Sequence, residues 1–231
     1  NGEESNFSVW ELFVFTLVGG VGGLMGASFI AGNEKMIQWR QRNVSTARQK
    51  FIEVLVITAV FTFISITLPV MWPRCTPLPV DMEEWSQQEK DLVDKLVPLY
   101  CTKSTHYNEV ASLFLTDSDT AIKQLFHFRE IGDHNDSTFS SEALASFFMP
   151  YIVMACICCG ATVPAGMFVP SLLSGATFGR LVGHLLHKLD HARGTFADSG
   201  TYALIGATAM TSGITRITIS LTIMVLEATG D

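Results

Sequence analysis

Residues 160–175 read Gly160-Ala161-Thr162-Val163-Pro164-Ala165-Gly166-Met167-Phe168-Val169-Pro170-Ser171-Leu172-Leu173-Ser174-Gly175, an uncharged run in which glycine and proline interrupt apolar residues. It lies inside a longer stretch, Ala143 to Gly179, that carries no charged residue at all. A single crossing of a bilayer needs only about 20 apolar residues. The stretch must therefore be subdivided, and Pro150, Gly160, Pro164, Gly166 and Pro170 supply the breaks. Interrupted helices at membrane depth persist only where they are buried in protein or line a cavity.

After Pro170 the run can continue as a helix, which puts the loop-to-helix join near mid-depth. A helix N-terminus presents unpaired backbone N–H groups and the positive end of a dipole without introducing a full cation. Such an end suits a small anion, and neutral donors let the ion leave again. A proline-rich kink with no ligand leaves the same pattern, and the residues alone favour neither.

Working outward, the 231 residues are 48% hydrophobic and only 16% charged, with a positive mean hydropathy. A soluble domain of this size is poorer in long uncharged runs. The net charge of −7 is unevenly spread, so it identifies no partner. No nucleic-acid partner is expected, and the five cysteines show no metal-site spacing. Asn1 begins no signal peptide, and Gly230-Asp231 follows directly on an apolar run, so the chain reads as a piece of a longer one.

Val9 to Gly32 carries one charge, Glu11, and predicts a first span. Within it Gly19, Gly20, Gly22, Gly23 and Gly26 form overlapping G-x-x-x-G pairs, which allow close helix approach either within one subunit or between subunits. Gln38 to Lys50 follows as a loop with Arg40, Arg42, Arg48 and Lys50 and no acid. The positive-inside rule places residues 39–50 in the cytoplasm. Phe51 to Trp72 is a second span, with Glu53 read as a solvated end residue.

Residues 73–140 hold twelve acids against six bases and read as a long acidic loop on the extracellular or lumenal side. Cys75 and Cys101 both lie in it, and an oxidising compartment permits a disulfide between them, although their spacing does not establish one. Of the sequons at Asn6, Asn43 and Asn135, the last is the best glycosylation acceptor on this topology. Arg180 to Ser199 reads as another polar loop. Tyr202 to Leu226, charged only at Arg216, suggests two shorter helices divided near Gly206, Ser212 and Gly213.

Gly166-Met167-Phe168-Val169-Pro170 matches the G-x-F-x-P motif of the CLC family of chloride channels and chloride/proton exchangers. Ser171 to Ala176, Gly179-Arg180-Leu181-Val182-Gly183, Gly206 to Met210, and Thr218 to Leu221 with Leu226 to Gly230 also resemble that family, in the right order. The cysteine-bearing loop is most similar to the eukaryotic organellar branch. The resemblance covers essentially the whole chain. It implies an all-α integral membrane fold, a CLC-like bundle of tilted and broken helices, of which residues 1–231 are a partial transmembrane domain, mostly the second half of an inverted repeat.

Carried over residue by residue, the resemblance implies a chloride site shaped by Gly166, Met167, Phe168, Val169 and Pro170, with the amides of Met167 and Phe168 as donors. It implies chloride as the transported ligand, protons as a further cargo in an exchanger, a lipid bilayer, and a homodimer. Gly19, Gly23, Gly26, Ile219 and Ile223 would lie at the dimer interface. Glu227 corresponds to a glutamate that holds structure. No enzyme activity, cofactor, metal or nucleic-acid partner is implied, and the membrane is the plasma membrane or a lysosome- or vacuole-like endomembrane.

The G-S-G-I-P and G-K/R-E-G-P segments, the pore tyrosine and the proton glutamate of the family are not in this sequence, so its residues do not separate channel from exchanger. A non-transporting membrane scaffold or receptor subunit is the competing class. His106, His127 and His134 read as solvated loop residues. His184, His187 and His191 share a helical face, and Cys156, Cys158 and Cys159 read as small packing residues.

Overall fold

The computed structural model describes residues 9–78, 87–101, 106–127, 139–163, 166–189, 198–217, 219–221 and 223. In chain order these form α1 (Val9–Asn43), α2 (Ala47–Met71), β1 (Cys75–Pro77), α3 (Gln87–Val93), β2 (His106–Asn108), α4 (Glu109–Leu115), α5 (Ser118–His127), α6 (Ser141–Cys158), α7 (Phe168–Leu189) and α8 (Ser199–Thr215). Three of them, α1, α2 and α6, are long and apolar enough to cross a membrane.

The helix from Val9 does not stop at Gly32. Residues 38–43, expected as loop, are the last turns of α1. The cause is Arg40, which is buried and donates from Nη1 to the Cys159 carbonyl at 3.0 Å and from Nη2 to the Ile157 carbonyl. Its Nε lies 2.5 Å from Glu53 Oε1. A cation that serves the carbonyl end of α6 holds its own helix in register. Glu53 is thus a paired, largely buried carboxylate rather than a solvated one. The link to α2 shrinks to Val44, Ser45 and Thr46, and Gln49 Oε1 accepts from the Thr46 N–H at 3.1 Å.

Residues 73–140 carry more structure than the expected loop. β1 and β2 pair antiparallel, with Cys75 opposite Asn108, and a disulfide joins Cys75 to Cys101 with their Cα atoms 5.8 Å apart. Asn108 caps α4 by accepting from Ala111 N–H at 3.1 Å, while its Nδ2 donates to the Pro69 carbonyl of α2 and the Leu99 carbonyl. Buried Glu109 accepts from the Thr76 hydroxyl and from both the N–H and the hydroxyl of Ser140, at 2.7 Å each. Ser140 in turn caps α6 through the Ala143 N–H. This cap therefore grips the end of α2 and the start of α6. Its apolar residues, such as Leu113, Leu125 and Phe139, form one core with Phe147 of α6, Leu173 and Ala176 of α7, and Ala207 of α8.

Two expected breaks are absent. Pro150 lies inside α6, where the buried Leu144 and Phe147 hold the helix against the core across the missing hydrogen bond. Pro170 lies in the first turn of α7, where its missing N–H has no helical acceptor to lose. The chain does turn after α6: Gly160 has φ +83°, and a Cβ there would fall 2.7 Å from Ile37 Cγ1.

α7 also outruns its expected end, because Arg180 is a fully buried helical residue rather than the start of a loop. α8 ends at Arg216, in the left-handed conformation with its N–H donating to the Ser212 carbonyl, and residues 219–221 are helical again. The division in two holds, but not at the glycines. Gly206 and Gly213 serve close packing instead: a Cβ on Gly206 would lie 2.5 Å from the Gly175 carbonyl oxygen, and one on Gly213 2.8 Å from that of Gly23.

Candidate anion site

The helical ladder of α7 begins with the Ser171 N–H donating to the Met167 carbonyl at 3.2 Å. Phe168, Val169 and Pro170 precede it in the first turn, where backbone N–H groups have no acceptor within the helix. Pro170 has no N–H, so the donors of this end are the amides of Met167, Phe168 and Val169. Ser171 and Ser174 turn their hydroxyls back onto the Phe168 and Pro170 carbonyls, at 2.7 and 2.6 Å. The first turn is thereby cross-braced by its own hydroxyls.

No acidic residue lies in that turn. With 22 residues behind it, the helix supplies a positive end of about half an elementary charge. Among the described residues, chain neighbours aside, nothing lies within 4 Å of where a Cβ on Gly166 would stand. Met167 packs on a cluster of Phe29, Ala155, Cys159, Met210 and Ile214 and so anchors the turn. Phe168 and Val169 are exposed in this chain, at 38% and 43%. The motif residues Gly166 to Pro170 are thus contiguous around one helix end, which presents neutral donors to a space that an anion could occupy.

The glycines of α1 divide between two roles. A Cβ on Gly22 would stand 2.9 Å from Ala209 Cβ, and one on Gly26 would stand 2.8 Å from the Met210 carbonyl oxygen and 3.1 Å from Gly213. The Cβ direction of Gly26 is therefore taken up by α8 of the same chain. The Cβ directions of Gly19 and Gly23 are open, and Ile219 and Ile223 are exposed, at 75% and 59%. Asn135, Asn6, His134, His191 and Glu227 lie outside the described residues. Among the described residues no three His, Cys, Asp or Glu side chains gather as a metal site. Cys156 directs its thiol at the Phe29 carbonyl, 3.8 Å away, in the α1–α6 seam.

Two arginines were missed as structural centres, Arg40 and Arg180. The available signal for Arg180 was the spacing of Gly175, Gly179 and Gly183, a four-residue rhythm that carries the helix past it. No comparable rhythm flags Arg40.

The profile of the family described as "Voltage gated chloride channel" matches residues 1–231. The chain is 34% identical over 229 residues to H(+)/Cl(-) exchange transporter 7 of Mus musculus, covering 99% of this chain and 26% of that protein. It is 30% identical over 226 residues to chloride channel protein CLC-d of Arabidopsis thaliana, covering 96% and 28%. It is 29% identical over 255 residues to chloride channel protein A of Dictyostelium discoideum, covering 95% and 28%. The chain spans about a quarter of the length of these curated relatives.

Proposed function

Since the chain belongs to the voltage-gated chloride channel family, we propose that the protein moves chloride across a membrane and that the N-terminus of α7 forms part of its central anion site. The observation that carries this reading is the start of α7: its hydrogen-bond ladder opens at Ser171 with Pro170 in the first turn. That start leaves the amides of Met167, Phe168 and Val169 as donors at the end of an uncharged helix. A scaffold needs no such end. Weak neutral donors also suit a site that must release its ion as readily as it binds it.

On the same reading residues 39–50 face the cytoplasm and residues 73–140 the outside or a lumen, of the plasma membrane or an endomembrane. Asn135 is then an accessible glycan acceptor. Two copies pair through the faces that carry Gly19, Gly23, Ile219 and Ile223. The partner in transport is chloride, with protons as counter-cargo where the full-length protein exchanges them.

Chloride efflux from proteoliposomes containing the full-length protein tests the reading. Efflux well above that of empty vesicles is expected. Proton uptake driven by the chloride gradient marks exchange, and efflux without proton movement marks a channel. Vesicles no leakier than empty ones, with the protein folded and inserted, would overturn the proposal.

A further inference from the structure

α7 and α8 meet through bare backbone. A Cβ on Gly175 would lie 2.6 Å from the Gly206 carbonyl oxygen, one on Gly179 2.0 Å from that of Tyr202, and one on Gly183 3.1 Å from the Ser199 Cα. A glycine face of this kind sets the distance between two helices, but it has no side-chain ridges to resist sliding along the axis. Side chains off that face, Met167 on Met210 and Ile214 among them, must then fix α7 lengthwise.

Arg180, next to Gly179, leaves that face and reaches α5. Its Nη1 donates to the Leu125 carbonyl at 2.6 Å and to the Gln124 carbonyl at 3.3 Å. Both carbonyls belong to the last turn of α5, where acceptors lack helical donors and the dipole favours a cation. The guanidinium carbon also stands 5.7 Å from the centre of the Phe139 ring. Phe139 is buried and directly precedes Ser140, whose N–H and hydroxyl are held by Glu109. Arg180 is itself fully buried, so shifting α7 along its axis means breaking charge-assisted hydrogen bonds away from water.

We propose that Arg180 is a positioning residue for the anion site, locking α7 lengthwise to the cap formed by residues 73–140. The inference rests on the functional reading of the α7 N-terminus given above. Roughly 18 Å of helix separates Arg180 from Phe168, at about 1.5 Å per residue, and a packed helix moves as a rod. Amide hydrogen bonds weaken steeply with distance and angle. A slide of α7 at Arg180 therefore changes how well the Phe168 and Val169 amides meet an anion, although Arg180 never touches it.

The test uses the full-length protein in proteoliposomes, with R180K and R180M read for apparent chloride affinity, for the nitrate-to-chloride selectivity ratio, and for thermal unfolding. R180K keeps the charge at the end of α5 but loses the planar guanidinium and its stacking over Phe139. It is expected to fold, to weaken apparent chloride affinity about fivefold or more, at the low end of site-to-site couplings, and to move the selectivity ratio. R180M is expected to move both further. Simple loss of folded protein lowers the amount of transport without altering the ratio. R180K with wild-type affinity and ratio would overturn the inference, and so would failure of both variants to fold, which would make the role structural only. Folded wild-type protein that transports no chloride would overturn the functional reading and this inference together.

Discussion

α2 and the α7–α8 pair are held in opposite ways. α2 is the most apolar of the three candidate spans, and little of it is buried. Along it Phe51, Leu55, Val56, Phe63 and Ile66 all point away from the rest of the chain. α7 buries Ser171, Ser174, Thr177 and Arg180 and meets α8 glycine to backbone. The more polar helix is inside and the greasier one outside, the reverse of a soluble domain. Where the surroundings are as apolar as leucine, burial of leucine brings no gain, and contact selects small residues. α2 is held mainly at its ends, by Glu53 on Arg40 and by the Pro69 carbonyl on Asn108.

The largest effect should come from the inner tie of α2. Arg40→Ala strands the Glu53 carboxylate and the Ile157 and Cys159 carbonyls, and loss of one partner of a buried pair costs about 3–5 kcal/mol. Denaturant or thermal unfolding of the purified protein should show it, and a loss under about 1 kcal/mol would mean that the pair is solvated after all.

Next comes the glycine seam. Gly179→Ala forces a Cβ to within 2.0 Å of the Tyr202 carbonyl oxygen and should destabilise by about 2–3 kcal/mol through overpacking. Gly20→Ala, whose Cβ meets nothing within 4 Å, should stay within about 0.5 kcal/mol of wild type. Equal effects at the two positions would break the contrast between packed and open glycines.

The outer tie is smaller. Asn108→Ala removes the α4 cap and the donor to Pro69, for about 1–2 kcal/mol. Acidification probes the same cap. Hydrogen bonds from the Thr120 hydroxyl and N–H hold the Asp117 carboxyl below its usual range. Its stabilising contribution is therefore fully present above the unfolded-state value near 3.8 and fades as pH falls through the lower folded value. Asp117→Asn should flatten that acid limb of a pH–stability curve, and an unchanged limb would remove Asp117 from the account. The smallest effect is expected at Leu55→Ala, on the exposed face of α2, within about 0.5 kcal/mol.

Much of this contrast could be read before any coordinates. The uncharged stretch around Gly166 to Pro170, the two early spans and the family pattern all follow from residue order, because they depend on local composition and on chain breaks. What escaped has one physical cause. Arg40, Glu53 and Arg180 read as marks of solvent because a charge in sequence carries no record of its partner. The carbonyl partners of the two arginines are remote: Arg40 meets carbonyls more than a hundred positions away, and Arg180 meets α5, while Glu53 pairs across the short α1–α2 link with Arg40 itself. The glycines of α8 were read as breaks because glycine serves both a turn and a close approach, and only the facing helix decides between them. The folded cap was missed because its short helices and two-stranded ribbon depend on a disulfide and on hydrogen bonds to Glu109 and Asn108.

The central claim is that the first turn of α7 holds an anion. Anomalous diffraction from crystals of the full-length protein grown in bromide tests it most directly. A bromide peak within hydrogen-bonding reach of the Met167 and Phe168 amides is the predicted result. A well-ordered α7 N-terminus with bromide bound elsewhere in the protein and none at these amides would contradict it.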